Sequence, residues 1–145
     1  MVDAHGPGRH QDLLLASSLP QPLARHLLLP GHDFGGAFYS SLLPYRIGER
    51  RLLFGAVLIG AAGRSLDEVE GSVAGRGAHI RMLAAAPLGT WTEVARATLD
   101  RRAPEAEDLR FNPWVTGGGI EPIGALMSLR DPAYRASQAA ADGSR

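Results

Sequence analysis

Near the C-terminus, Arg130 and Tyr134 stand four residues apart in LRDPAYRAS, with Asp131 and Pro132 between them. Asp131 followed by Pro132 suits a helix start, because the carboxylate accepts from free N–H groups and proline takes the first helical position. Tyr134 then falls in the first turn, where the positive end of the helix dipole favours a phenolate, and the Arg130 guanidinium pushes the same way. A tyrosinate is a metal ligand, and its known use is axial coordination of haem iron. On this assignment Tyr134 is the ligand and Arg130 its hydrogen-bonding partner. The competing assignment has Tyr134 docking the last helix on the sheet while Arg130 faces water.

The segment RFNPWVTGGGIEPIGALMSLRDPAYRASQ gives the pair a context: the turn Phe111, Asn112, Pro113, Trp114, then Pro122, Ile123 and Gly124, then Arg130 and Tyr134. It resembles the C-terminal portion of small bacterial haem-dependent catalase-like proteins. DLLLAS and YSSLLPYRI are similar to the later barrel strands of that family, and also to actinobacterial chains loosely labelled phosphodiesterases. The resemblance implies a catalase-like half barrel and haem held by Tyr134, with Phe111 and Trp114 fixing the turn. It departs from the family on the other haem face, where a distal histidine and its neighbouring asparagine belong upstream of the strand that DLLLAS resembles. His5 and His10 stand too close to that strand for the family's order and are expected to have no role. The expectation is therefore the second half of such a barrel, with an N-terminal half missing or supplied elsewhere, and with weak or no peroxide activity. Loss of the distal base removes an acid–base step worth about 10²–10⁴-fold.

Other constellations carry weaker chemistry. His26, His32 and Asp33 contain a His-Asp pair that would suit a metal-dependent phosphodiesterase, but Pro30, Gly31, Gly35 and Gly36 make the stretch a loop, and a solvated turn is the alternative. The glycines at 117 to 119 lack a following Gly-Lys-Ser/Thr and read as a turn rather than a phosphate loop. Ser17, Ser18, Ser40 and Ser41 have no Gly-x-Ser-x-Gly elbow. Glu68 and Glu70 read as an exposed helix face.

The elements that must position these residues are short. DLLLAS at 12 to 17 reads as a buried strand, PLARHLLLP as one helical turn or an irregular edge, and FYSSLLPYRI with RLLFGAVLI as a hairpin through Gly48 and Glu49. SLDE at 65 to 68 is a capping box opening a helix with Val69 and Val73 on one side, ended by glycines at 71, 75 and 77. His79 to Ala84 and Trp91 to Leu99 form a second pair around PLGT, and the brevity of these connections makes the sheet antiparallel. Residues 123 to 130 and 132 to 141 read as two short helical pieces, or as one helix kinked at Pro132. A sheet closed only halfway has an open edge, so a homo-oligomer is expected to cover it.

With 145 residues, one domain is expected over 12–141, preceded by a loose arm at 1–11 and followed by a tail at 142–145. All fifteen basic residues are arginine and the formal charge is zero, so neither nucleic acid nor an anionic membrane is expected as a partner. There is no cysteine, which excludes disulfides and thiolate chemistry. The longest apolar runs fall short of the roughly 20 residues a membrane helix needs, and no signal peptide is evident, so a cytoplasmic protein is expected. The fold class is α+β and β-rich: an antiparallel, partly barrel-like sheet with C-terminal helices. The expected function is a catalase-like, haem-associated protein or its degenerate relic, with a noncatalytic binding or scaffold domain without haem as the alternative.

Overall fold

The computed structural model describes residues 1–31, 33–73, 77–99, 112 and 115–123. It is mostly strand: an antiparallel half-barrel sheet with one α-helix among the described residues. Its spine is Arg50–Ile59 (β4), where apolar side chains flank Gly55 on both sides in Leu52, Leu53 and Phe54 and in Val57, Leu58 and Ile59. Ala78–Ala85 (β5) pairs along one edge of β4, and Thr92–Leu99 (β6) pairs with β5. On the other edge, Phe38–Ser40 (β2) pairs with Gly55, Ala56 and Val57, and Tyr45–Ile47 (β3) pairs with Arg50, Arg51 and Leu52. Ala16–Ser18 (β1) extends the sheet beyond β2, and Glu121–Pro122 (β7) extends it beyond β3.

The stretch expected as one strand over 38–47 is therefore two. Ser40 stands opposite Gly55 and Tyr45 opposite Leu52, so Ser41 to Pro44 occupy the space of Leu53 and Phe54. The excess chain is taken up at Leu42, a non-glycine residue at φ 58°. Such a conformation costs about 1–2 kcal/mol. It is held by hydrogen bonds from Leu42 N–H to Ser40 Oγ (2.8 Å) and between the Leu42 carbonyl and His26 Nδ1 (2.8 Å). The same break shortens DLLLAS: pairing begins at Ala16 opposite Ser40, and Leu13 to Leu15 have no regular strand to face. Leu13 and Leu15 instead pack on the cluster of Tyr45, Phe54 and Ala84, together with Ile47 and Ile120. Tyr45 and Phe54 meet edge to face at 5.5 Å.

The hairpin through Gly48 and Glu49 forms as expected, with Gly48 at φ 57°. The helix (α1) runs Leu66–Val73, with Glu68 N–H on Ser65 Oγ (3.2 Å) and Glu68 Oε2 accepting Arg64 N–H (2.7 Å). Gly71 lies inside it rather than at its end. None of its residues is buried, so it rests on its caps more than on packing. The C-terminal helices expected over 123–141 lie outside the described residues, except Ile123, whose N–H bonds Pro44 O at 3.0 Å and continues the β3–β7 ladder.

Residues 1–11, expected as an arm, make specific contacts. The N-terminal ammonium donates to Gln11 O (2.8 Å), and Arg9 Nε donates to Gly117 O (2.8 Å). Asp12 N–H donates to Val115 O (2.8 Å).

Candidate functional site

Antiparallel partners share a face, so Phe38, Val57, Gly55 and Arg81 lie on the face opposite the Tyr45–Phe54 cluster. That second face is roofed by the chain between β1 and β2. Leu29 N–H bonds Ser17 O (2.9 Å), Phe34 N–H bonds Gly63 O (2.8 Å), and Gly36 N–H bonds Leu58 O (3.3 Å). The segment thus runs from the edge at β1 to the far end of β4. Beneath it is a cleft of about 520 Å³, walled by Ser17, Ser18, Leu19 and Pro20 on one side, Leu29, Pro30, Gly31, Asp33, Gly36 and Ala37 on the other, with Phe38 and Val57 on the sheet. Small residues are required where the roof touches the sheet: a Cβ at Gly31 would lie 2.6 Å from Ser17 Oγ, and one at Gly35 would lie 2.5 Å from Ala61 O.

Among the described residues of that wall, Asp33 is the one ionisable side chain. Its Oδ1 accepts from Gly35 N–H (2.7 Å) and Gly63 N–H (3.1 Å). The Gly63 bond first, then the Gly35 bond, hold its carboxyl below the ordinary carboxylate range, and nearby Arg64 adds to this. Asp33 is therefore a fixed negative charge at neutral pH, poorly suited to carrying protons. Burial, and then the charge of Asp33, push the neighbouring Tyr39 hydroxyl up, so Tyr39 stays neutral.

The other side of the cleft wall is locked by Arg25, a guanidinium only 1% exposed. Arg25 sits in the 3₁₀ turn Ala24–His26 and donates to Pro20 O (3.1 Å), Ala86 O (3.3 Å) and Gly89 O (2.9 Å), with a longer bond to Gln21 O (3.4 Å). Its guanidinium carbon lies 4.5 Å from the ring centroid of Trp91, whose Nε1 donates to Pro20 O (2.8 Å). The Trp91 ring in turn meets Phe38 at 5.1 Å. Arg25 and Trp91 together fix Pro20 and Phe38, two residues of the cleft. Burial lowers the pKa of Arg25 from its usual value, yet a guanidinium remains charged far above neutrality.

Of the residues singled out in the sequence, Arg130, Tyr134, Phe111, Trp114 and His32 lie outside the described residues. Asn112 N–H donates to Asp12 Oδ2 (2.9 Å). His26 is bonded to Leu42 O, away from Asp33's two amide donors. His5 Nε2 is bonded to Gln11 Oε1 (3.2 Å), and its ring lies so close to Gly117 and Gly119 that neither could carry a Cβ. The triple glycine is thus a seat for the N-terminal segment. Ser18 Oγ donates to Ala24 O (3.1 Å) and Ser40 Oγ to Arg25 O (2.5 Å), so these hydroxyls brace the turn.

Among the described residues, no group of three or more His, Cys, Asp or Glu is placed to hold a metal ion, and no helix is long and apolar enough to cross a membrane. No family model, curated protein or solved structure matches this chain. The cleft, Asp33 as an anchor, and the Arg25–Trp91 lock are features that sequence reasoning did not assemble. The one signal for them was an arginine inside the apolar, proline-bracketed run PLARHLLLP.

Proposed function

We propose that the chain is a noncatalytic binding domain whose cleft between the 29–37 roof and the sheet takes a small, mainly apolar molecule. The observation that carries this reading is the cleft itself: about 520 Å³, within the usual range for small-ligand sites, with Phe38, Val57, Pro20 and Leu29 among its walls. The support for binding over catalysis is chemical. Ser18 is committed to Ala24 O, and Asp33 is a tied carboxylate with a lowered pKa, so these groups suit orientation more than proton transfer. Titration with hexan-1-ol tests it by amide chemical shifts. Saturable shifts at Phe38, Ala37 and Val57 are expected, with Arg50 and Arg51 at the other end of β4 unmoved. The Val57→Trp variant, which fills the cleft, should abolish them. Equal shifts along the whole of β4, or none, would overturn the reading.

A second reading is supported by the four-residue spacing of Arg130 and Tyr134 in the sequence: Tyr134 ligates haem iron and Arg130 bonds its oxygen. Haem when bound would supply a ferric centre. Haemin mixed with the protein should give a high-spin ferric spectrum that Tyr134→Phe removes, since phenylalanine keeps the ring and loses the ligand oxygen. Identical spectra and affinities for the two proteins would discard it.

A further inference from the structure

We propose that the ligand of this cleft is a protonated organic amine with a short apolar body, its nitrogen at the Asp33 carboxylate and its body against Phe38 and Val57. The inference rests on the reading of the cleft as a ligand site and specifies what enters it. Both amide bonds to Asp33 end on Oδ1, which among the described residues leaves Oδ2 to receive an N–H from the ligand. The carboxylate is oriented in advance by Gly35 and Gly63, so little side-chain freedom is lost on binding. No arginine or histidine shares the described cleft wall with it. Arg64, the described cation that acts on Asp33, is exposed and is not part of that wall, so water screens it. An anionic ligand would meet Asp33 with like charge, and a neutral one would leave that charge partly desolvated without a partner.

Three probes of one length separate the possibilities: hexylammonium, hexan-1-ol and hexanoate, each followed at the Phe38 and Val57 amides. Asp33 is itself exposed, so hexylammonium should bind roughly two- to fivefold more tightly than hexan-1-ol, the scale of a solvent-screened ion pair, and hexanoate should be weakest. Asp33→Asn keeps an Oδ1 for the Gly35 and Gly63 amides and removes the charge, so it should erase the preference of hexylammonium over hexan-1-ol. Should that variant lose its dispersed spectrum, the wild type answers the same question. Hexylammonium stays charged in acid, and its advantage should vanish as pH falls through the lowered Asp33 pKa while the fold is monitored in parallel. Equal affinities for hexylammonium and hexan-1-ol, or an advantage insensitive to Asp33→Asn and to acid, would overturn the charge assignment and leave the cleft standing as a site. Failure of all three probes to move the cleft amides would overturn the ligand-site reading beneath it.

Discussion

Arg25 carries a charge into the interior with carbonyl oxygens as its hydrogen-bond partners, and that choice explains what it does. Carbonyls of Pro20, Ala86 and Gly89 come from two separated turns, and one planar guanidinium reaches all three at 3.1, 3.3 and 2.9 Å. Arg25→Met would keep much of the bulk but leave those oxygens without their donor and remove the cation from Trp91. The expected loss is about 2–4 kcal/mol of unfolding free energy, measured by urea denaturation with circular dichroism as the probe. Arg25→Lys should recover only part, because a single ammonium cannot span both turns. Asp33 makes stability depend on pH in the acid range. Its folded pKa is lowered, so the stability it contributes is present above the unfolded value near 3.8 and is lost as pH falls through the folded value. These residues were the least legible in the sequence. Arginine at position 25 and aspartate at 33 look like ordinary turn residues until the chain brings positions 20, 63, 86 and 89 to them.

At the scale of elements, β4 is the organising strand, and Gly55 at its centre shows why one residue without a side chain is needed there. A Cβ at position 55 would lie 2.9 Å from the Phe38 ring and 3.1 Å from the Trp91 ring, and both rings are held by their neighbours. Gly55→Val is expected to cost about 1–3 kcal/mol and to push Phe38 into the cleft, which thermal unfolding together with the Phe38 ring shifts would register. The bulge between Met82 and Leu83 does comparable work on the outer pair of strands. Glu93 and Arg96, three apart, would point to opposite faces of a regular strand, but the register shift returns them to one face beside Arg81. Glu93 then bonds Arg81 at 2.6 Å and Arg96 at 2.9 Å, and these two guanidiniums hold its carboxyl below the usual range. Strand pairs and their turns were legible because alternation, Gly48-Glu49 and PLGT are local signals, and β5 and β6 begin and end within a residue or so of the expectation. The break at Ser41 to Pro44 was not, since a left-handed leucine has no sequence signature and depends on His26 and Ser40 being in place.

Over the whole molecule, the half-barrel puts its two faces to different uses. One buries Tyr45, Phe54 and Ala84 beneath Leu13, Leu15 and Ile120, and the other is roofed by a segment that leaves space beneath it. Exposed leucines at 19, 23, 27 and 28, with Leu88, also give the surface a general affinity for apolar molecules, which a true site must exceed. Intermolecular nuclear Overhauser effects from hexylammonium therefore test the account most directly. Cross-peaks from its methylenes to the Phe38 ring protons and Val57 methyls, lost in Val57→Trp, are the predicted result. Cross-peaks confined to Leu23, Leu27 and Leu88, unchanged in that variant, would contradict it.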